Sequence, residues 1–403
     1  MNVARKSARN ALICLFFLLA PFQCAQAEKG FVGDEQKKRE TNDIAVTVVV
    51  SGLSCTCARF AEDIRNVVND LRPNGLRVLP VLGVGGLQNV DDVLFLKGID
   101  MGVVDEDNLR LVKKKDPYLY ANIEKRIQYI TKLYNSEFHV LARDEIRSYD
   151  DLRGKKVNFN LRASQTEVSA EVIFNALKID VERTNYDNDE AIKKLEDGDI
   201  AAMIVLSGAP QAALAKVKKE DKFHFLSLDH ESLPDHDLSA IASYYLPAEL
   251  THEEYPNLIA EGQSVPTVAN RALLVAYAWP EDSQRYKKLA KFVQEFFGKI
   301  DQFHSAARHP KWSEINLSAE IPSWTRFKPA ADWLAAHQSV ASLQTDGVSA
   351  NHSSEELKAA FERFIENYAA TSRLKTLSPL DREKAFAQFM NYVQSQKTGQ
   401  PAH

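Results

Sequence analysis

The sequence predicts an α/β protein built from two doubly wound lobes, and three observations support this. From Ile44 onward, short β-branched runs alternate with segments whose apolar residues recur at helical spacing. The same alternation begins again after about Ser136. The junctions between strand and helix are rich in glycine, serine and asparagine. Strands that alternate with helices favour a parallel sheet covered by helices on both faces.

The first lobe is predicted from three strand–helix units. Its strands are Ile44 to Val50, Leu76 to Leu82 and Ile99 to Val104. After the first strand, Phe60, Ile64 and Val67 lie on one face of a helix, as the 3.6-residue period requires. A second helix follows Gly86 and stops at Gly98.

The second lobe repeats this rhythm. After a strand from Tyr129 to Leu133 at the end of lobe 1, its predicted elements are strands at Phe138 to Ala142, Lys156 to Asn160 and Ile200 to Leu206. The predicted helices of lobe 2 are one capped by Ser164 or Thr166 that runs to Leu177, and one from Glu190 to Leu195. A strand from Val268 to Ala278 and an amphipathic helix from Tyr286 to Phe297 then return to the first lobe.

These elements divide the chain into six segments. We expect a signal peptide at 1–27, a flexible leader at 28–43, lobe 1 at 44–135, lobe 2 at 136–246, a crossover and return to lobe 1 at 247–338, and a C-terminal helical extension at 339–403. The extension has two amphipathic faces separated by Ser378-Pro379. Such faces either pack on the body or dock a partner.

The N-terminus has the three parts of a secretory signal. Arg5, Lys6 and Arg9 precede the apolar stretch from Ala11 to Ala20, and Ala25-Gln26-Ala27 fits a cleavage site. The alternative is a short membrane anchor, but the apolar stretch is too short to span a bilayer. We therefore expect a soluble periplasmic protein that begins at Glu28.

The net charge and the cysteine content exclude some classes of partner and some kinds of fold stabilisation. The formal net charge is −5, and the signal carries three of the positive charges. This balance argues against nucleic acid as a partner. Only Cys55 and Cys57 would remain after cleavage of the signal peptide. Two cysteines are too few for a fold that is held together by a set of disulfides. We expect a monomer held together by burial of apolar residues.

The stretch Val-Val-Ser-Gly-Leu-Ser-Cys-Thr-Cys-Ala-Arg-Phe, residues 49–60, leaves three interpretations open. It is a redox or metal-binding thiol pair, a turn that carries a nucleophile, or a loop that holds a small ligand. In α/β sheets, ligands lie at the carboxyl ends of strands, where helix N-termini offer free N–H groups. Comparable junctions occur at 83–89, 160–166 and 206–210, which favours one ligand clamped between the lobes. Ordinary turns also use these residue types.

The chain resembles the solute-binding proteins of TRAP transporters, and within them the TAXI subclass. Proteins of this subclass have the periplasmic-binding-protein type II fold. The similarity runs from about Val46 to Leu334. It depends on an ordered set of segments: Ser51 to Cys57, Gly86 to Val90 followed by Lys97 to Val104, Ser148 to Val157, Asn160 to Val168, Gly198 to Ala202, and Val265 to Ala269.

The resemblance implies capture of a small organic solute, a carboxylate or an amino acid, and its delivery to TRAP-type permease subunits in the membrane. The ligand-binding residues it suggests are Ser51, Ser54, Thr56, Cys57, Gln88, Asn89, Asp105, Arg162, Ser164, Gln165, Thr166 and Ser207. Arg162 would offer a bidentate guanidinium to a carboxylate, or lie at the surface. Cys57, Asp105 and Arg162 depart from the family pattern, and this puts the identity of the ligand in doubt.

The sequence gives no reason to expect an enzyme, a metal or a cofactor. A disulfide between Cys55 and Cys57 would be strained over so short a loop, and no histidine pattern accompanies the pair. The cluster of His224, His230 and His236 matches no zinc spacing and is typical of a solvated loop. An exported enzyme that uses these residues, and a sensor or adaptor subunit that signals through the helical extension, remain the alternatives.

Overall fold

The computed structural model describes residues 33–344, except 71, 73 and 74. The predicted signal peptide and most of the predicted C-terminal extension therefore lie outside the described residues. The chain divides into two compact units, Met1–Ala335 and Ala336–His403, and the lobes discussed below both belong to the first. No helix within the described range is both long enough and apolar enough to cross a membrane.

Ten strands form one mixed sheet. They are β1 (Ala45–Val50), β2 (Arg77–Leu82), β3 (Met101–Asp105), β4 (Ile127–Arg143), β5 (Lys156–Asn158), β6 (Glu182–Thr184), β7 (Ala202–Ser207), β8 (Phe223–Phe225), β9 (Leu246–Thr251) and β10 (Ser264–Tyr277). Their order is β2-β1-β3-β10-β4-β7-β5-β6, with β8 beside β4 and β9 beside β10. The strands β1, β2 and β3 are parallel, as are β5, β6 and β7.

The helices cover this sheet. They are α1 (residues 33–43), α2 (Thr56–Val68), α3 (Gly86–Phe95), α4 (Glu106–Lys115), α5 (Ile123–Arg126), α6 (Gln165–Leu177), α7 (Asn188–Glu196), α8 (Ser239–Ala242), α9 (Gln284–Phe297) and α10 (Lys328–Gln344). Short 3₁₀ turns lie at Asp150–Leu152, Leu214–Lys216, Lys219–Asp221, Ile300–Phe303 and Pro310–Glu314.

Alternating side chains along the strands fill a core on each face of both lobes. In lobe 1, Val48 and Val50 pack into one cluster and Val49 packs into the opposite one. In lobe 2, Ile204 and Met203 divide between two further clusters in the same way. Successive residues of a strand point to opposite faces, so both lobes are covered by helices on two sides. The predicted α/β class with two doubly wound lobes is confirmed.

Two long strands join the lobes. The first part of β4 pairs with β10, and its second part pairs with β7, with the change at Glu137. Likewise β10 pairs with β9 up to Ala269 and with β3 from Ala272. The sequence predicted two strands between Tyr129 and Ala142, whereas the structure has the single strand β4. The polar residues 135–137 look like a break, but Ser136 and Glu137 are buried and hydrogen-bonded inside the sheet.

The described part of the predicted leader is helical. Residues 33–43 form α1, where the sequence suggested a flexible segment without periodicity. Side-chain pairs one helical turn apart support this helix, namely Gln36 with Glu40 and Lys38 with Glu35, each at 2.8 Å.

Candidate functional site

A cavity of about 280 Å³ lies between the lobes, at the carboxyl ends of β1 and β7. Its walls come from four separate stretches of the chain. The lining residues are Ser51, Gly52, Leu53, Ser54, Cys55, Asn160, Leu161, Ser164, Gln165, Thr166, Asp187, Asn188, Asp189, Val205, Leu206, Ser207 and Gln211. We call this the cleft cavity.

The loop after β1 forms the lobe-1 wall of the cleft cavity. Cys55 is the N-cap of α2, and its sulfur accepts a hydrogen bond from the Cys57 N–H at 3.1 Å. The hydroxyl of Ser51 donates to the Val84 carbonyl at 2.9 Å, which ties this loop to the end of β2. The loop is therefore fixed at its start, through Ser51, and at its end, through the cap at Cys55.

Two helix N-termini of lobe 2 form the opposite wall. Ser164 caps α6 by accepting from the Glu167 N–H at 3.2 Å, and Asp187 caps α7 by accepting from the Glu190 N–H at 2.9 Å. The first N–H groups of a helix have no partner within the helix, and they carry the positive end of its dipole. This wall therefore offers hydrogen-bond donors to a ligand.

The structure records the lobes in contact across the cleft cavity. Asn188 Nδ2 donates to Ser54 Oγ at 2.9 Å, and Gln211 Nε2 donates to the Ser54 carbonyl at 2.8 Å. The Thr56 N–H donates to Ser207 Oγ at 3.2 Å, and the Thr56 hydroxyl donates to the Gly208 carbonyl at 2.7 Å. Ser54 and Thr56 of the loop after β1 thus join lobe 2 through four hydrogen bonds.

Gly86 permits a further close approach between the lobes. It begins α3 with a φ of +57°, and a Cβ placed there would lie 2.5 Å from the Ala163 carbonyl oxygen and 2.6 Å from the Gln165 nitrogen. Only glycine accommodates both the left-handed backbone and this contact. The run Gly83-Val84-Gly85-Gly86 therefore serves the contact between lobes.

Of the twelve residues suggested by the sequence, six line the cleft cavity. They are Ser51, Ser54, Ser164, Gln165, Thr166 and Ser207. Several of their polar groups are already engaged. For example, Gln165 Nε2 donates to the Leu206 carbonyl at 3.1 Å, and Thr166 Oγ1 accepts from the Leu206 N–H at 3.0 Å. These bonds fix the orientation of the wall.

The other six residues lie outside the lining of the cleft cavity. Thr56 and Cys57 are buried behind the loop, and Asn89 is buried with Nδ2 donating to the Val103 carbonyl at 2.9 Å. Gln88 and Arg162 are exposed and do not line the cleft cavity. Leu161 lines the cleft cavity, whereas its neighbour Arg162 does not. Adjacent residues can therefore point in different directions, and sequence position alone does not place a side chain in the cavity.

Asp105 is buried at a second contact between the lobes. Its Oδ1 accepts from the Ser136 hydroxyl at 3.0 Å, and burial, together with the neighbouring Asp107, raises its pKa well above the usual value. Asp107 accepts from the Ser169 hydroxyl at 2.6 Å and the Tyr245 hydroxyl at 2.9 Å, both in lobe 2. Asp105 thus belongs to the packing between lobes, away from the cleft cavity.

The two cysteines of the loop after β1 are bonded to each other. Cys55 and Cys57 form a disulfide with a Cα–Cα distance of 5.2 Å. This lies within the range of about 4.4–6.8 Å that disulfides require.

The sequence missed several lining residues. Asn188 and Gln211 are the most important, because both are buried and both reach Ser54. Asp187 and Asp189 add two carboxylates at the rim. The capping pattern Asp-Asn-Asp-Glu at 187–190 is a helix-start signal that could have identified this junction. Gln211 carries no local signal and is placed only by the fold.

A two-lobed α/β protein with a polar cavity between its lobes has the fold of a type II substrate-binding protein. The chain belongs to the NMT1-like family, whose model matches residues 82–322, more than half of the sequence. That range includes every lobe-2 residue of the cleft cavity and excludes the loop after β1. No curated protein matches the chain.

Several solved structures with a similar arrangement are ligand-binding proteins. One is the ligand-binding component of an ABC-type import system from Staphylococcus aureus with zinc bound, at 12% identity over 71% of this chain and 83% of that one, with a TM-score of 0.42. Another is the periplasmic aliphatic sulphonate-binding protein from Escherichia coli, at 13% identity over 72% and 78%, with a TM-score of 0.35. A third, described as a periplasmic transporter, has 15% identity over 73% and 97% and a TM-score of 0.41. At these identities the likeness concerns the fold alone.

Proposed function

We propose that this protein is a periplasmic solute-binding protein that captures a small amino-bearing organic solute, an amino acid in the first instance, between its lobes. The observation that carries the proposal is the cleft cavity, which both lobes line and across which they exchange four hydrogen bonds. A solute that enters this space contacts both lobes at once, so its binding energy favours closure.

The lining residues define the chemistry of the solute. Among the described residues that line the cleft cavity, none is lysine, arginine or histidine, whereas Asp187 and Asp189 are carboxylates. These two acids favour a positively charged group. The N-termini of α6 and α7 favour a carboxylate on the same wall. An amino acid carries both groups, and this charge pattern favours it over a simple carboxylate.

The size of the cavity agrees with a small solute. Its volume of about 280 Å³ lies just below the range of about 300–1,000 Å³ typical of sites for drug-sized ligands. Hydroxyl and amide groups, such as those of Ser54 and Gln165, dominate the polar lining and give directional hydrogen bonds.

For the partner, we propose TRAP-type permease subunits, as in the TAXI subclass. Support comes from the ordered set of sequence segments that resemble that subclass between Val46 and Leu334. The segment Asn160 to Val168 from this set supplies part of the cavity wall, since it contains Ser164, Gln165 and Thr166. Export through the predicted signal peptide would place the protein where such a permease receives its solute.

A thermal-shift screen tests the proposal. The panel contains the twenty amino acids, small dicarboxylates and small amines. A ligand at about 100 times its dissociation constant stabilises the native state by about 2.7 kcal/mol. We expect an amino acid or a related zwitterion to give the largest shift, and titration calorimetry then gives its affinity.

Two glutamine variants provide the matched test of the site. Gln165→Ala removes a lining side chain, whereas Gln88→Ala removes an exposed one outside the cleft cavity. We expect Gln165→Ala to weaken binding at least about tenfold, which corresponds to about 1.4 kcal/mol, and Gln88→Ala to leave it unchanged. A panel in which only dicarboxylates bind, or equal losses in both variants, would overturn the proposal.

A further inference from the structure

The Cys55–Cys57 disulfide is a chemical group that the proposed function does not use. Its two sulfurs have different surroundings. Cys55 is partly exposed and lines the cleft cavity as well as a second cavity, of about 510 Å³, on the other side of the loop. Cys57 is buried, with 1% of its surface exposed. A small molecule in either cavity can therefore reach Cys55 and not Cys57.

The buried sulfur is placed to leave as a thiolate. The Ser51 N–H points at Cys57 Sγ, at 3.2 Å, and Cys57 lies in the first turn of the thirteen-residue helix α2. A backbone N–H donor and the positive end of a helix both stabilise a thiolate and lower the pKa of the thiol. Cys55 Sγ also accepts a backbone N–H, that of Cys57 at 3.1 Å, so access from the two cavities, rather than thiolate stabilisation, decides which sulfur a small thiol attacks.

From this asymmetry we propose that the disulfide is a thiol–disulfide exchange site for small thiols. The thiolate of a small thiol attacks Cys55 Sγ, and a new S–S bond forms between the two. The Cys55–Cys57 bond breaks, and its electron pair leaves on Cys57 as a thiolate beside the Ser51 N–H. The product is a mixed disulfide on Cys55 and a free thiolate at Cys57. This proposal does not depend on the proposed solute.

The exchange would also act on closure of the lobes. Cys55 lies between Ser54 and Thr56, the two residues that make the four hydrogen bonds to lobe 2. A group attached to Cys55 Sγ would occupy one of the two cavities that this sulfur lines. The disulfide is therefore also a site at which a small thiol would modify the solute-binding loop.

The experiment uses the full chain, oxidised, with cysteamine as the thiol. Aliquots are quenched with acid at intervals, digested and mapped by mass spectrometry, so that Cys14 and Cys24 are distinguished from the loop. We expect a cysteamine adduct on Cys55 in at least about tenfold excess over Cys57. We also expect it to form in the native protein much faster than the protein unfolds, as measured by dilution into denaturant.

Single variants give a second, independent measurement. Cys57→Ser leaves the accessible thiol of Cys55, and Cys55→Ser leaves the buried thiol of Cys57. With the disulfide cystamine as the probe, we expect the first to form a mixed disulfide at least about tenfold faster than the second. An adduct on Cys57, equal rates in the two variants, or native exchange no faster than unfolding would each overturn the proposal. None of these outcomes bears on solute binding.

Discussion

The ammonium of Lys311 lies 2.6 Å from Glu137 Oε1, and both side chains are buried. Glu137 occupies the point on β4 where the strand passes from one lobe to the other, and Lys311 belongs to the turn Pro310–Glu314 near the end of the body. The other oxygen of Glu137 accepts from the Ala209 N–H at 2.8 Å. The carboxylate of Glu137 thus joins three parts of the chain: its own strand β4, the loop after β7, and the turn that contains Lys311, more than 170 residues away in sequence.

The first prediction concerns this pair. Burial outweighs the nearby ammonium and raises the pKa of Glu137 to about 7. Burial opposes the charge on Lys311, but Glu137 and Glu314 outweigh burial and raise the pKa of that lysine. Lys311→Met leaves a buried carboxylate without its cation, and we expect a loss of about 3–5 kcal/mol in the free energy of unfolding at pH 8.

The loss should be smaller at pH 5. The pKa of Glu137 is raised on folding, so its carboxyl holds a proton in the native state at pH values where the unfolded chain has released it. The contribution of this group to stability therefore falls as pH rises from about 4.5 to about 7, and at pH 5 the missing cation matters less. Denaturant titrations at both pH values measure this. Lys328→Met, which removes an exposed pair with Asp332, is the control and should have a much smaller effect. Equal losses at pH 5 and pH 8 would contradict the prediction.

The second prediction concerns the approach of the lobes at Gly86. Gly86→Ala places a Cβ against the Ala163 carbonyl of lobe 2, so it should hold the lobes apart and weaken solute binding by at least about tenfold. Gly154→Ala is the matched control, because Gly154 also has a positive φ, of 68°, but open space around its Cα. Both variants should lose about 1–2 kcal/mol of stability from the left-handed backbone. Small-angle scattering measures the separation of the lobes in the two variants, and calorimetry measures their affinity for the solute. The same affinity in both variants would show that Gly86 has no role in closure of the lobes.

The third prediction compares two charged residues near the cleft. Asp189 lines the cleft cavity, and Arg162 does not. For an amino-bearing solute, Asp189→Asn should raise the dissociation constant at least about tenfold, since a hydrogen bond to a charged group contributes about 1.5–3 kcal/mol and tenfold corresponds to about 1.4 kcal/mol. Arg162→Ala should change it less than twofold. Calorimetry with the ligand from the screen decides this, and the reverse order would restore the guanidinium to the site.

The fourth prediction concerns the protonation of His139. Its Nδ1 faces two carbonyl oxygens, of Glu137 at 2.8 Å and Val205 at 3.1 Å, so Nδ1 carries the proton. Its Nε2 accepts from the Tyr255 hydroxyl at 2.8 Å, and that oxygen in turn accepts from the Gln211 N–H at 2.8 Å. Burial lowers the pKa of His139 to about 4.

The sign of the pH effect follows from this shift. The neutral imidazole contributes its full stability above about pH 6.5, and the contribution is lost as pH falls from about 6.5 to about 4. Nitrogen chemical shifts of the imidazole should show a neutral ring with a protonated Nδ1 at pH 6. The unfolded chain, whose histidines titrate near pH 6.5, is the reference. A native midpoint close to that reference would mean that His139 is not enclosed as described.

Much of the architecture was predictable from periodicity. The strands β1, β2, β3 and β7 and the helices α6 and α9 lie within a few residues of their predicted bounds, because strand and helix periods are local properties of the sequence. The N-cap at Ser164 was predictable for the same reason. The continuous strand β4 was not, since its polar residues are satisfied by partners that are distant in sequence, such as Lys311 for Glu137.

Local patterns were enough to predict the alternation of strands and helices and the junctions where a solute could bind, because backbone propensity, capping and apolar spacing act over a few residues. The set of side chains that meet at the cleft cavity depends instead on how the chain folds. The fold brought Asn188 and Gln211 to Ser54 and left Arg162 outside. The two contacts with Ser54 depend on the direction of side chains across a cleft between segments more than a hundred residues apart. No local pattern encodes that direction, since it follows from how the two lobes close.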